Sequence, residues 1–379
     1  MIHLLRHPNW HVMSCLIIFV MGLWVKGGRV LSKDLPLIGT PPRTEIEAKY
    51  ALNASSHLIA IQLTNAVHGL IKDDLKNMSF GKAAGCDLKI DRRPKSFAFL
   101  DHYFDTPQDH LYRNAASYRV RMRWSSYHNY LRHTLFAWSS LFPPTRLEIQ
   151  AKTHYRTATP GDLTELMSEE TRLEFRKESS PFNTGFPLPH LAHIDMEDAI
   201  TWAQTGTYEQ HPIYPHYALT QYLHNTLKKP HSHNYTFNKR LSLLNQRHRF
   251  HLSCKHPLGS GPNPDQVFII TIDHVHCLKG CCAYKHMIEI EIERERNTST
   301  YLDQFKSYEN SQILKDHPVA KRAFDYTQKL RHAYIADHSR LKQQISNMIT
   351  KNSMKPLTMA SKYRRFGCIQ KNSVLSPDS

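Results

Sequence analysis

The chain has 379 residues, 40% of them apolar, enough to bury the core of one large or two ordinary domains and to exclude a wholly disordered polymer. With 49 Lys and Arg against 33 Asp and Glu the formal charge is +16, which favours polyanionic partners without choosing among them. The seven cysteines lack the spacing of a compact disulfide framework, and the 26 histidines show no H-E-x-x-H or paired Cys/His zinc spacing.

Arg6 and neighbouring histidines precede a largely apolar run, Val12 to Val25, which is followed by Lys26 and Arg29. The run is shorter than the ~20 residues of a full span, so residues 1–29 read as a signal peptide or a membrane anchor that exports or tethers the chain. Residues 30–43, with Pro36, Gly39, Pro41 and Pro42, read as a linker. From Thr44 onward, alternating segments at 44–50, 97–105, 117–124, 146–155, 171–177, 246–253, 266–275 and 286–294 predict eight strands. Helical spacing is expected at 55–77, through Leu58, Ile61, Val67, Leu70, Ile71 and Leu75, and at 216–228, through Tyr217, Leu223 and Leu227. A long amphipathic helix follows at 319–349, with Phe324, Thr327, Tyr334, Leu341, Ile345 and Met348 on one face. Residues 125–145 and 178–192, rich in Ser, Pro, His and aromatic residues, read as loop insertions, and Cys277 with Cys281 and Cys282 as thiols at a hairpin turn. The expected fold is α+β and predominantly β: a closed eight-stranded antiparallel barrel with flanking helices, over 44–363, ending in a flexible tail at 364–379.

The informative pattern is charge alternating with apolar residues on several strands. Glu45, Glu47 and Lys49 share one strand face, with Ile46 and Ala48 on the other, because strand side chains reverse at every residue. Similar rows are Arg119, Arg121 and Arg123; Glu148, Gln150 and Lys152; Arg172, Glu174 and Arg176; and Glu289, Glu291 and Glu293. One such row is normally a solvated sheet face. Five rows on a closed sheet, apolar side outward, instead line a wet lumen of both signs that needs an ionic guest. Carboxylates at i, i+2 on two strands suit Mg²⁺ or Mn²⁺, completed by substrate phosphate oxygens. A triphosphate, carrying about four negative charges, would be neutralised by such ions together with the Arg and Lys rows. The basic residues interleave with acids along strands and no nucleic-acid module is recognisable, so nucleic acid is not the expected partner.

These residues resemble the CYTH domain of the triphosphate tunnel metalloenzymes. The opening E-x-E-x-K stands as EIEAK at 45–49, followed in order by Tyr103-Phe104-Asp105-Thr106-Pro107, Leu111-Tyr112-Arg113, and Ser117-Tyr118-Arg119-Val120-Arg121. Then come Lys152, Arg172-Leu173-Glu174, Ile272-Asp273, Glu289-Ile290-Glu291-Ile292-Glu293 and Ser361-Lys362-Tyr363, so the resemblance spans about 44–363. It implies an eight-stranded tunnel in which Glu45, Glu47, Glu289 and Glu291, with Glu293 in addition, ligate the metal. Lys49, Arg119, Arg121, Lys152 and Arg172 would hold the triphosphate, with Lys49 and Glu174 as catalytic candidates, Glu174 positioning a second metal or the attacking water. On the sixth strand either Lys239 and Arg240 or Arg247 and Arg249 could face inward; the alternation ahead of Phe250 favours Arg247 and Arg249. Arg176 stands where the family often has a second acid. The implied activity is metal-dependent hydrolysis of inorganic triphosphate or a triphosphorylated small molecule. A CYTH-type adenylate cyclase and a non-catalytic polyphosphate or nucleotide binder are the alternatives, and the oligomeric state stays open.

Overall fold

The computed structural model describes residues 37–52, 57–135, 144–157, 165–176, 196–230, 234–255, 265–294, 318–351 and 361–367. The segment 12–25, expected to direct export or tethering, lies outside them, as do residues 178–192. No helix among the described residues is long and apolar enough to cross a membrane.

Among the described residues eleven strands form in chain order: β1 (Thr40–Leu52), β2 (Asp87–Ile90), β3 (Lys95–Asp105), β4 (Ser117–Trp124), β5 (Arg146–Thr157), β6 (Glu165–Arg176), β7 (Thr207–Tyr208), β8 (His211–Pro212), β9 (Asn238–Lys255), β10 (Asp265–Gly280) and β11 (His286–Arg294). Eight of them run β10-β11-β1-β6-β5-β4-β3-β9, and pairing of β9 with β10 closes the ring into an antiparallel barrel. Short β2 extends the sheet at the far end of β9, and β7–β8 form a separate hairpin. Closure removes the unpaired edges that would otherwise invite aggregation.

The barrel is inverted relative to one with an apolar interior. Ala48, Tyr50, Phe250, Ile270, Ile272, Ile288, Ile290 and Ile292 point outward into one buried cluster with Val67, Ile71, Tyr334, Leu341 and Ile345. That cluster is roofed by α1 (His57–Asp74), α2 (Ser79–Ala84) and α7 (Pro318–Lys351). A second cluster takes the outward residues of β3–β6, including Tyr118, Val120, Leu147, Ile149 and Phe175. It packs under α5 (Met196–Thr205) and α6 (Tyr214–Leu227) through Ala199, Ala203, Leu219 and Leu223. Alternation therefore assigns the apolar face to the helices and the charged face to the lumen.

Several expectations need correction. The linker is shorter than 30–43, because β1 begins at Thr40, where Thr40 pairs with Arg172. Residues 125–145 are not all loop: α4 (Tyr127–Leu135) forms there, but Tyr130 is its only buried residue, so no apolar stripe marks it. On α1, Leu58 and Ile61 are exposed, and Ala60, Leu63, Val67 and Ile71 form the buried face; Tyr217 on α6 is likewise exposed. Residues 364–367 are not tail, since Arg365 and Phe366 are buried and Gly367 bridges Cys282. They belong to α8 (Lys362–Phe366), which follows the short α3 (His110–Arg113) and the other helices in chain order. The thiols of Cys277 and Cys282 are joined across the β10–β11 turn. Gly280 in that turn has φ +107°, and a Cβ there would meet the Arg240 carbonyl oxygen at 2.3 Å.

Phe250 is fully buried between the barrel and α1. Phe250→Ala is expected to lower unfolding free energy by about 3–5 kcal/mol in urea titration; a loss below about 1 kcal/mol would place Phe250 outside the core.

Candidate functional site

The lumen is a cavity of about 590 Å³, lined by Arg and Lys from five barrel strands and by Glu from four. Its two signs are unevenly placed. Glu45, Glu47 and Lys49 on β1 sit beside Glu291 and Glu293 on β11, with Glu47 opposite Glu293 and Lys49 opposite Glu291 in register. Facing them are Arg119, Arg121 and Arg123 on β4, Glu148 and Lys152 on β5, and Glu170, Arg172 and Glu174 on β6. Arg247 and Arg249 enter from β9, whereas Lys239 is exposed and Arg240 donates to the backbone oxygens of Thr106 and Pro107 away from the lumen. Of the two expected arrangements on the sixth strand, the structure adopts the second.

The basic residues are held by acids behind them. Arg121 forms a two-pronged pair with Asp101, Nε to Oδ1 at 2.6 Å and Nη2 to Oδ2 at 2.7 Å. Arg247 does the same with Asp273, at 2.6 and 2.5 Å, and adds Glu291 at 2.8 Å. This fork geometry fixes each guanidinium plane. The Nη1 groups of both arginines bond no protein acceptor among the described residues. Arg119 donates to Gln150 at 2.6 Å and to the Tyr103 hydroxyl at 3.0 Å. Lys152 reaches Glu45 at 2.5 Å and Glu47 at 3.4 Å, and Lys49 reaches Glu47 at 2.8 Å and Glu291 at 3.1 Å.

Burial by itself would strip these charges, yet the opposite charges prevail. Against burial, Glu291, Glu47 and Glu289 raise the pKa of Lys49, and Glu47, Glu170 and Tyr155 raise that of Lys152. Glu148, although buried, is pulled down to about 2 by Arg172, Arg146 and Arg121. At two places among the described residues the shift goes the other way. Burial pushes the Glu293 carboxyl up, and Glu47 and Glu291 add to that, against Arg249 and Lys152. Burial and mutual repulsion lower Arg123 and Arg249 to about 10, with Arg146 the larger neighbour of Arg123 and Arg247 that of Arg249. Neither Arg123 nor Arg249 pairs with a carboxylate among the described residues; Arg123 lies 3.7 Å over the Phe97 ring.

Of the five expected metal ligands, Glu45, Glu47, Glu291 and Glu293 border the cavity. Their hard oxygens and the crowding at Glu293 fit a divalent ion such as Mg²⁺ or Mn²⁺. Glu289 departs from expectation: it is fully buried behind the wall, bound by Arg365 and by Lys362 at 3.0 Å. It anchors α8, whose Lys362 also pairs with Asp273 and Glu291. Asp273, Glu289 and Glu291 lie close enough to hold a metal, but the Lys362 ammonium already stands among them.

Sequence reasoning missed Glu170. It shares a face with Arg172 and Glu174 and pairs with Arg43, Arg172 and Lys152. A second acid on this strand therefore exists, two residues before Arg172 where Arg176 follows Glu174. Apolar alternation marks this strand only from 171 onward, whereas the strand itself begins at Glu165. Arg43, Arg146 and Lys362 also line the cavity beyond the expected set. Lys362 had a signal in the S-K-Y triplet.

No protein-family profile and no curated protein matches the chain. Among solved structures it overlaps a proposed adenylyl cyclase from Hippeastrum described as having a dominant triphosphatase activity, at 13% identity and TM-score 0.32, covering 69% of this chain and 87% of the other. It also overlaps the S. pombe RNA triphosphatase Pct1, at 10% identity and TM-score 0.29, covering 86% and 94% of the two chains. The Mimivirus capping enzyme triphosphatase overlaps at 8% identity and TM-score 0.26, covering 78% and 96%. At these scores the overlaps carry no conclusion about activity.

Asp101, Glu148, Glu170, Asp273 and Glu291 all titrate below their ordinary values in the folded chain, Glu148 near 2. A depressed carboxylate contributes stability above its unfolded pKa of about 4 and loses it as pH falls through the folded value. Glu293, raised, has the opposite sign and offsets one of the five. Urea unfolding at a series of pH values is expected to show steeply falling stability between about pH 4.5 and 2; a flat profile there would remove the ion pairs from the folded state.

Proposed function

We propose that the chain is a divalent-metal-dependent triphosphatase, acting on inorganic triphosphate or a small molecule bearing a triphosphate. The observation that carries this reading is a single cavity lined both by carboxylates, Glu45, Glu47, Glu291 and Glu293 among them, and by many guanidinium and ammonium groups. Such a lining does not suit a neutral ligand. A volume of about 590 Å³ lies within the range of small-molecule sites, so a triphosphate fits with or without an attached group.

In this reading Glu45, Glu47, Glu291 and Glu293 hold the metal, which when bound neutralises phosphate charge and polarises a phosphate oxygen. Arg119, Arg121, Lys152, Arg172 and Arg247 orient the phosphate chain through donors already fixed by Gln150, Asp101, Glu170 and Asp273. That pre-organisation matters because phosphoryl transfer depends on positioning and charge stabilisation more than on covalent chemistry from the protein. Lys49, between Glu47 and Glu291, stabilises charge developing on the transferred group. Glu174, flanked by Arg146 at 2.8 Å and Arg172 at 3.6 Å, accepts from the attacking water and orients it, and Glu170 secures Arg172 from the other side. Arg123 and Arg249, whose repulsion an anion relieves, take the outlying phosphate.

Glu45→Gln with Glu47→Gln is expected to lower metal-dependent phosphate release from triphosphate by at least about 100-fold while the chain stays folded by circular dichroism. Retained turnover would remove both from the ligand set. Product identification on ATP separates the reactions: phosphate supports hydrolysis, cyclic AMP with pyrophosphate shows a cyclase, and tight binding with no product under Mg²⁺ or Mn²⁺ shows a binder.

Arg249→Ala is expected to leave unliganded thermal stability unchanged or raised, because it removes a partly buried, repelled charge. The same variant should weaken triphosphate binding about tenfold or more, read as a smaller ligand-induced rise in melting temperature. Unchanged affinity would place Arg249 outside the phosphate site.

A further inference from the structure

We propose that His274, His276 and His286 form a transition-metal site on the outer face of the barrel, separate from the lumen and suited to Zn²⁺. His274 and His276 stand at i, i+2 on β10 and so share a face, opposite to the lumen face on which Asp273 lies. His286 opens β11 and is the direct cross-strand partner of His276. Two residues along one strand and one across the ladder bring three imidazoles together. One nitrogen from each lies within 4.8 Å of the others, and the ring centroids of His276 are 4.2 Å from His274 and 4.4 Å from His286.

Two features point to a ligand beyond proximity. His274 is 3% exposed, and its Nε2 meets no hydrogen-bond partner among the described residues; Nδ1 of His286 is likewise buried and unpartnered. Burying such atoms unpaired is costly, and a metal ion resolves it. Finally, a fourth imidazole is at hand: His57, the first residue of α1, has its ring centroid 5.9 Å from that of His274. The other titratable groups facing the cluster are His248 on β9 and Lys285 in the turn. The donor set is nitrogen only, which favours Zn²⁺, Co²⁺, Ni²⁺ or Cu²⁺ over the hard ions suited to the lumen. The ion would tie the β10–β11 hairpin, which carries Asp273 and the β11 carboxylates, to the start of α1.

The test uses the untagged full chain, stripped with chelator and carrying Glu45→Gln and Glu47→Gln to reduce metal binding in the lumen. Titration with Co²⁺ is expected to give the intense visible absorption of a tetrahedral nitrogen site, saturating at one equivalent, displaced by Zn²⁺ and unaffected by millimolar Mg²⁺. Zn²⁺ should raise the melting temperature. His276→Ala and His286→Gln should each weaken Zn²⁺ binding by more than about 100-fold, beyond what loss of an outer-shell partner causes. No binding by the parent chain, an octahedral Co²⁺ spectrum, or affinity unchanged in a folded variant would each overturn the site. If one variant fails to fold, the other and the parent titration decide.

Discussion

Everything in this molecule follows from enclosing charges of both signs inside a closed sheet. A carboxylate or guanidinium taken out of water is costly unless a partner stands within hydrogen-bonding reach, and the lumen meets that condition almost residue by residue. Asp101 grips Arg121, Asp273 grips Arg247, and Glu289 grips Arg365 and Lys362. These acids lie behind the cavity surface and convert flexible basic side chains into fixed donors.

The same constraint explains where like charges crowd. On one side Glu293 is crowded by Glu47 and Glu291; elsewhere Arg123 and Arg249 crowd each other and their neighbours without a carboxylate partner among the described residues. The metal and the triphosphate of the proposed function would meet this uneven charge, and the ammonium groups of Lys49, Lys152 and Lys362 stand among the carboxylates in the structure as it is.

Outside the barrel, helices complete what the strands begin. Because the polar face is inward, the apolar face must be roofed, and α1, α2 and α7 cover one side while α5 and α6 cover the other. The last described element, α8, works from the end of the chain: Tyr363 stacks on Tyr103 and donates to Asp105, while Lys362 enters the lumen. A terminal helix is thereby part of the cavity wall.

The E-x-E-x-K strand, the Arg row at 119–123 and the Glu row at 289–293 were legible in the sequence because strand alternation is local: one residue in, the next out. That local rule placed the eight strands and most residues that line the barrel, including Arg247 and Arg249, while closure came from pairing between distant segments. Only the tertiary structure decided what each charge does there. Glu289 shares its strand face with Glu291, yet Arg365 and Lys362, more than seventy residues away in sequence, commit it to anchoring α8. Glu170 emerged as the second acid on its strand only once pairing with β1 and β5 set where that strand begins. The three histidines at 274, 276 and 286 likewise became a cluster only through cross-strand register, a relation between segments that no spacing along the chain encodes.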